Sequence, residues 1–163
     1  MQEGRRAEVG SQSRDRLILA AVVVAVLLID QLSKAWALEA LTAGRRIALV
    51  GDLFGLQLVR NPGGAFGFLP GSTIVLTIAS MLLVVFVAVT AWRKGQVPIL
   101  YGLILGGGIG NLIDRFARPP YGGRGWVIDF FQSSVWPTFN IADTAIVVGV
   151  VLILVDSFRN QDA

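Results

Sequence analysis

The sequence predicts an all-α integral membrane protein, a four-transmembrane-helix bundle with a small extracytoplasmic β-sheet or hairpin and a second loop on the same side. Hydrophobic residues make up 54% of the chain and charged residues only 15%, whereas a soluble domain carries about 25% charged residues. The mean hydropathy is +0.67, and four apolar runs approach the ~20 residues that a membrane span needs. With 163 residues there is room for one domain, so we predict a single membrane domain over residues 1–163.

The first part of the chain is predicted to be a tail followed by a span. Residues 1–16 are polar and show no periodicity, which is typical of a mobile tail. An apolar run over residues 17–38 is long enough for the first span. A cleaved signal peptide is the alternative, because Ala35–Ala37 fits a small-x-small cleavage pattern. Lys34 lies directly before that site and further apolar spans follow, which argues against cleavage.

The next region, residues 39–71, is too polar to span a membrane and predicts a small β structure. Two runs with high β propensity, Arg46–Val50 and Phe54–Val59, flank the Gly51-Asp52 pair. The turn-forming residues Asn61–Gly64 follow the second run. This pattern indicates a hairpin or small sheet that ends in a turn.

The second half of the chain contains the other three predicted spans. They cover residues 72–92, 97–116 and 139–158, and a connection at residues 117–138 carries Pro-Pro and Gly-Gly breaks that indicate a loop. Four spans bring both termini to one side, and the basic N-terminal segment predicts that this side is the cytoplasm. The third span contains a ladder of small residues that permits close helix packing: Gly102, Gly106 and Gly110.

Two absences limit the chemistry. The chain has no Cys and no His, which excludes disulfides, a cysteine nucleophile, a Ser-His triad and an ordinary zinc site. Any acid-base catalysis must therefore use Asp, Glu, Lys, Tyr or Arg, and we predict no metal and no cofactor. The net charge of +3 is scattered over termini and connections, which argues against a nucleic-acid partner.

Most of the polar residues inside the predicted spans lie on the extracytoplasmic half. The alternating direction of four spans brings together the end of the first, the end of the third and the start of the fourth. Charged groups in a membrane are costly and normally face a bundle interior or a wet cavity. The residues gathered in this way are Asp30, Ser33, Lys34, Asn111, Asp114, Arg115, Asn140 and Asp143.

These charged residues also have structural explanations. Asp30 and Lys34 are four residues apart, a spacing that predicts a structural ion pair on one helix face. Asp114 and Arg115 offer a second pair. Buried charges of this kind would also suit the ion path of a small transporter or channel, which needs polar groups along the whole membrane depth.

The two remaining aspartates can be explained in more than one way. Asp143 could cap the fourth helix, although Asn140 suits that role better. Asp129 lies in "VIDFF" with no adjacent cation. Spacing alone leaves open whether these carboxyls are catalytic or part of a structural network. The nearby aromatic residues are typical of an interfacial belt: Trp126, Phe130, Phe131 and Trp136.

Five motifs nevertheless occur together in a recognisable order. They are "DQLSK" at Asp30–Lys34, "RNPGGAFG" at Arg60–Gly67, "GGGIGNLIDR" at Gly106–Arg115, "WVIDFF" at Trp126–Phe131 and "FNIAD" at Phe139–Asp143. Together they make the chain resemble the bacterial lipoprotein signal peptidase family, signal peptidase II. The resemblance covers nearly the whole chain after the tail. The loop "ARPPYGGRG" is longer than the family pattern suggests, but it leaves the motifs intact.

The resemblance implies an aspartyl endopeptidase of the bacterial inner membrane, with its active site on the extracytoplasmic face. Such an enzyme removes the signal peptide from prolipoproteins just before a diacylglyceryl-modified cysteine. The implied partners are a lipid-modified prolipoprotein, membrane lipid and globomycin-type inhibitors. The implied catalytic residues are Asp129 and Asp143. The implied supporting residues are Asn61, Gly63, Asn111, Asp114, Arg115 and Asn140, with Asp30 and Lys34 as the structural ion pair.

Rival enzymes fit the sequence less well. A Ser-Lys peptidase would use Ser33 with Lys34, but adjacent residues on a helix point in different directions. A presenilin-type protease would need a Gly-x-Gly-Asp motif, which "GNLIDR" does not match. The "ADTA" segment is similar to the three-residue Asp-Thr-Gly motif of pepsin-like enzymes only in Asp-Thr, which is a chance-level match, and those enzymes are soluble β proteins.

Overall fold

The computed structural model of the chain describes residues 2–63, 73–94 and 97–160. The end of the predicted turn at Gly64, the rest of the "RNPGGAFG" motif and the first residue of the second predicted span lie outside the described residues. Residues 1, 95–96 and 161–163 also lie outside them. Within them the chain forms four helices and three strands. They are α1 (Gln2–Ala40), β1 (Ile47–Val50), β2 (Phe54–Asn61), α2 (Thr73–Lys94), α3 (Pro98–Ala117), β3 (Val127–Ser133) and α4 (Ile141–Arg159).

The first helix is longer than the sequence predicted. A tail over residues 1–16 was expected to be separate from the span at residues 17–38, whereas α1 runs without a break from Gln2 to Ala40. The N-terminal segment contains no proline and is rich in residues that are compatible with a helix, such as Glu, Gln, Arg and Ala. A helix that is already formed in the apolar segment can therefore extend backwards through it.

Three helices are long and apolar enough to cross a membrane. By length and composition these spans are Gly10–Ala40, Thr73–Arg93 and Ile141–Arg159 within the described part of the chain. They correspond to the first, second and fourth predicted spans, with ends that differ by a few residues, as helix ends usually do. The third predicted span corresponds to α3, which is not among the three.

Helix α3 packs against α1, α2 and α4. Its glycine ladder faces α1, as expected from the small-residue spacing. A Cβ atom at Gly102 would lie 2.8 Å from Val22, and one at Gly106 would lie 2.7 Å from Val26. The absence of side chains at these positions lets the two helix backbones approach closely.

The three strands form one antiparallel sheet in the order β1-β2-β3. The predicted hairpin of β1 and β2 is confirmed. The third strand lies inside residues 117–138, which the sequence assigned to a loop, and this assignment is wrong for Val127–Ser133. The strand is rich in Val, Ile and Phe, which favour a pleated, half-buried surface. The charged Asp129 obscured that pattern in the sequence.

A small core joins the sheet to the end of α1. It contains Ala37 from α1, Leu41 directly after that helix, Leu58 from β2, and Ile128 and Phe130 from β3. Phe130 is only 2% exposed, so it is a core residue rather than part of an aromatic belt. This packing fixes β3, and therefore Asp129, against the helix bundle.

Candidate active site

Asp129 lies in the middle of β3 and is 1% exposed. Its Oδ2 atom accepts a hydrogen bond of 2.9 Å from the Asn61 side chain, and its Oδ1 atom accepts one of 2.7 Å from the Asn140 side chain. Burial, together with the nearby charge of Asp143, raises the pKa of Asp129 to about 7, against the opposing effect of the two amide hydrogen bonds. Asp129 can therefore hold or release a proton near neutral pH.

Asp143 lies in the first turn of α4 and forms a capping box with Asn140. The Asn140 side chain accepts from the Asp143 N–H at 2.9 Å, and Asp143 Oδ2 accepts from the Asn140 N–H at 3.2 Å. The second carboxylate oxygen is not used for capping. It accepts a hydrogen bond of 2.8 Å from the side chain of Asn111 on α3. The capping explanation is thus correct for one oxygen of Asp143 and leaves the other for the site.

Asn140 links the two aspartates. Its side-chain Nδ2 donates to Asp129, while its Oδ1 and backbone N–H bond to Asp143. Because Asn140 is fully buried, these bonds hold the carboxyls of a strand and a helix in one fixed arrangement. Asp129 and Asp143 are called the aspartate pair below.

The aspartate pair opens into a cavity of about 290 Å³. Its polar wall includes Asn61, Asn111 and Arg115, and its apolar wall includes Leu76 of α2 and Ile146 of α4. A second cavity of about 460 Å³ shares Asp143 and Trp136 with the first and continues along α4 and the start of β2 at Phe54. The aspartates therefore lie at the polar end of a largely apolar space.

The predicted ion pair of Asp30 and Lys34 is present but belongs to a larger group. The Lys34 ammonium lies 2.8 Å from Asp30 Oδ2 and 2.9 Å from Asp114 Oδ2, and all three side chains are fully buried. Its third hydrogen bond, of 3.1 Å, goes to Asn111 Oδ1. Asp30, Lys34 and Asp114 are called the buried ion cluster below.

The alternative pairing of Asp114 with Arg115 is wrong in the structure. Asp114 pairs instead with Lys34 and with Arg118, whose Nε lies 2.7 Å from Asp114 Oδ1. Arg115 donates from one nitrogen to the carbonyl oxygens of Asn61 and Gly125, each at 2.9 Å. Adjacent residues on a helix point in different directions, so they reach different partners.

Gly63 and Arg115 both act on Asn61. The Gly63 N–H donates to Asn61 Oδ1 at 3.0 Å, which leaves the Asn61 amide nitrogen facing Asp129. Arg115 holds the Asn61 carbonyl. The expected supporting residues therefore lie close to the aspartate pair or one contact away from it.

Sequence reasoning missed two residues of this region. Arg118 is four residues after Asp114, and that spacing could have identified it. Gln31 donates to Asp30, to the Gly110 carbonyl and to Asp114, at 3.0, 3.2 and 3.4 Å. Nothing in the sequence around Gln31 indicated this bridge between α1 and α3.

The chain is similar to known proteins over most of its length. A family model described as Signal peptidase (SPase) II matches residues 22–159. A lipoprotein signal peptidase of Rhodococcus jostii is 42% identical over 143 residues, which cover 86% of this chain and 72% of that protein. One of Halothermothrix orenii is 34% identical over 143 residues, covering 86% of this chain and 94% of that protein.

A solved structure shares the fold. A bacterial membrane enzyme superposes with a TM-score of 0.75 over 88% of each chain, at 24% sequence identity. The family model covers most of this chain, and the two relatives are 42% and 34% identical to it over most of their length. The chain belongs to the signal peptidase II family.

Proposed function

We propose that the protein is an aspartyl endopeptidase that removes the signal peptide from diacylglyceryl-modified prolipoproteins, cleaving just before the lipidated cysteine. The observation that carries this proposal is the aspartate pair, the buried carboxyl of Asp129 and the half-buried carboxyl of Asp143, which are joined by Asn140 and open into one cavity. The names of the relatives supply the substrate class.

The proposed mechanism uses one proton shared between the two carboxyls. The ionised carboxyl takes a proton from a water molecule, whose oxygen attacks the scissile carbonyl carbon. The protonated carboxyl donates its proton to the carbonyl oxygen, which gives a tetrahedral intermediate with two hydroxyl groups. When the C–N bond breaks, the leaving amine takes the proton that the first carboxyl accepted from water, and the second carboxyl takes back a proton from a hydroxyl of the intermediate. Two close carboxyls in a dry site do not both ionise readily, so a singly protonated pair is expected near neutral pH.

The neighbouring amides support this chemistry by orientation. Asn61 and Asn140 hold the two oxygens of Asp129, and Asn111 holds the free oxygen of Asp143. A reacting group that is held in one geometry needs less reorganisation in the transition state. We expect a bell-shaped pH profile, whose two apparent pKa values belong to the pair rather than to either residue.

The apolar surroundings support a substrate that arrives from lipid. The cavity is walled by Leu76, Ile146 and Val147, on helices whose outer surfaces expose large apolar side chains. Such a site suits a peptide with attached acyl chains better than a soluble peptide. We infer recognition of the lipid and of the small residues before the cysteine.

We propose that α3 is the fourth span of a single membrane domain in the bacterial inner membrane. Both termini would lie in the cytoplasm, and the sheet and the aspartate pair would lie at the extracytoplasmic face. Basic residues near the N-terminus support this orientation.

Because the chain has no Cys, single introduced cysteines can test the orientation. An impermeant maleimide added to intact spheroplasts should label Asp52→Cys, and should label Gln12→Cys only after permeabilisation. The reverse labelling would contradict the orientation.

The activity is tested with purified protein and two precursors that differ only in the diacylglyceryl group. The lipidated precursor should be cut before its cysteine, globomycin should block the reaction, and strong chelators should leave it unchanged. Asp129→Asn is the inactive reference, and Asp52→Asn, at a fully exposed aspartate, is the matched control. Equal cleavage of the unlipidated precursor, or full turnover at saturating globomycin, would contradict the assignment.

Two other functions are less favoured. A transporter or channel is not supported by membership of a peptidase family. A Ser-Lys peptidase conflicts with the contacts of its two residues, because Ser33 Oγ donates to the Asp30 carbonyl at 2.8 Å. All three protons of the Lys34 ammonium are directed at Asp30, Asp114 and Asn111.

A further inference from the structure

The buried ion cluster makes backbone contacts beside each member of the aspartate pair. Asp30 Oδ1 accepts a hydrogen bond of 3.0 Å from the N–H of Ala142, the residue before Asp143. Asp114 Oδ2 accepts one of 3.2 Å from the N–H of Ile128, the residue before Asp129. The same lysine holds both carboxylates.

These two N–H groups are otherwise without partners in regular structure. Ala142 lies in the first turn of α4, where a helix has no internal acceptor for its N–H groups. On β3 the N–H of Phe130, two residues after Ile128, bonds to the Phe139 carbonyl rather than to β2. Because the N–H groups of alternate strand residues point to the same side, the N–H of Ile128 also points away from β2 and needs an acceptor outside the sheet. The negative charge of Asp30 also suits the N-terminal end of α4.

The cluster is built closely into the bundle. A Cβ atom at Gly110 would lie 2.7 Å from Asp30 Oδ2, so the glycine makes room for the carboxylate against α3. Gln31 donates to both Asp30 and Asp114. A buried network whose polar atoms all have hydrogen-bond partners is rigid, so it can hold the backbone segments that are bonded to it in a fixed position.

We propose that Asp30, Lys34 and Asp114 form a positioning frame that sets the relative placement of the two aspartates through the backbone N–H groups of Ala142 and Ile128. This proposal rests on the proposed function of the aspartate pair. The frame touches neither substrate nor water in the reaction; it fixes the two segments that carry the reacting groups. A further contact runs from Lys34 to Asn111, whose amide donates to Asp143.

Two matched double variants separate positioning from stability. Asp30→Leu/Lys34→Met and Asp30→Asn/Lys34→Met both remove one negative and one positive charge and keep the side-chain sizes similar. Replacing both partners of a buried ion pair is tolerated far better than removing one. Only the Asn version keeps an oxygen that can accept from the Ala142 N–H.

We expect the Leu version to lose at least about tenfold in kcat relative to the Asn version, per folded molecule and with KM within about twofold, because misplaced groups slow the chemical step. Amide exchange of Ala142, measured by NMR in micelles, should be at least about tenfold faster in the Leu version, with Ala145 as the internal reference. The control variant Arg46→Met/Asp52→Asn changes the exposed ion pair of the sheet. It should match the parent protein in kcat, in KM and in the exchange rate of the Ala142 amide.

Equal kcat and equal Ala142 exchange in the two double variants would overturn the positioning frame. The proposed function fails separately, if the parent protein does not cut the lipidated precursor or if Asp129→Asn still cuts it. In that case the exchange measurement still decides the frame, because it needs no substrate. If either double variant does not fold, the single Asp30→Asn variant is compared with Asp30→Leu by the same exchange measurement, and equal Ala142 exchange there also overturns the proposal.

Discussion

Two groups of aspartates lie side by side in this molecule, and they differ in the hydrogen-bond donors that neutralise or orient their carboxyls. In the buried ion cluster, Asp30 and Asp114 receive hydrogen bonds from the cations Lys34 and Arg118. In the aspartate pair, the donors found in the described residues are neutral, the side-chain amides of three asparagines and one backbone N–H. Asn111 connects the two groups, since it bonds to Lys34 with its oxygen and to Asp143 with its nitrogen.

The difference in donors gives the two groups different chemistry. The carboxyls of Asp30 and Asp114 are matched by two cationic groups, the Lys34 ammonium inside the cluster and the Arg118 guanidinium beside it. Amides orient a carboxylate but do not neutralise it. Burial and the neighbouring charge of Asp143 therefore raise the pKa of Asp129 to about 7, and the proton becomes available for transfer. A carboxyl compensated by cations holds structure, and one surrounded by amides can exchange a proton.

The largest effect is expected from Asp129→Asn and Asp143→Asn. Each should lower kcat by roughly 10²–10⁴-fold, because an amide keeps the size of the carboxyl but cannot exchange a proton. The proteins should remain folded and still bind inhibitor. The double variant should be little worse than either single variant, since residues that act as one unit are not additive. Single-turnover cleavage of a lipidated precursor measures all three.

The control for these variants comes from the other group. Asp114→Asn leaves both residues of the aspartate pair unchanged, removes one charge of the buried ion cluster and keeps one oxygen that can accept from the Ile128 N–H. It should reduce folded yield more than it reduces the activity of the folded molecules. Loss of all activity in Asp114→Asn, with activity retained in either variant of the pair, would mean that the reacting aspartates are assigned wrongly.

The next effect concerns stability. Lys34→Ala should destabilise the fold by about 3–5 kcal/mol, because it leaves buried carboxylates without their shared cation. Residual specific activity should remain in the molecules that fold. Folded yield and thermal unfolding in micelles measure the loss, and Arg46→Ala, which removes a partly exposed cation, is the control. A fully folded but wholly inactive Lys34→Ala protein would favour a Ser-Lys mechanism after all.

Local features of both groups could be read from the sequence, and contacts between elements could not. The four-residue spacing predicted the pair of Asp30 and Lys34, and the Asn140–Asp143 spacing is that of a capping box. The contact of Lys34 with Asp114 joins two helices that are far apart in sequence. No periodicity fixes which faces of two helices meet, so the cluster could not be predicted as a unit.

The surroundings of Asp129 also depend on contacts that the sequence could not predict. The sequence assigned it to a loop, and only the family resemblance identified it as a partner of Asp143. Its closeness to Asn140 depends on the pairing of β3 with β2 and on the backbone bonds of Phe130 and Phe131 to Phe139. These are long-range contacts that residue types do not specify. The sequence therefore predicted most helix positions and the hairpin, but not the strand that carries one of the aspartates; the roles assigned to the site residues stay predictions.

A smaller effect is expected from pH. Because the pKa of Asp129 rises from 3.8 to about 7 on folding, the folded chain holds a proton there that the unfolded chain has lost. The stabilisation of the folded state by the protonated Asp129 carboxyl is complete below about pH 4. It is lost as the pH rises through about 7. Asp129→Asn should therefore raise the midpoint of thermal unfolding, relative to the parent protein, more at pH 8 than at pH 5. An equal change at both pH values would show that Asp129 is already ionised in the folded protein.

The smallest effect is expected at the exposed ion pair of the hairpin. Arg46 Nη1 lies 3.4 Å from Asp52 Oδ1, and the Asp52 side chain is fully exposed. Water and salt screen such a pair, and it holds no backbone segment of the site. Asp52→Asn should leave both kcat and the unfolding midpoint unchanged within measurement error, at low and at high salt. The same Asp-to-Asn change is thus tested in three surroundings: solvent at Asp52, cations at Asp114 and amides at Asp129. If the change at Asp52 lowered activity as much as the change at Asp129, the surroundings of a carboxyl would not explain its role, and the contrast between the two buried groups would lose its physical basis.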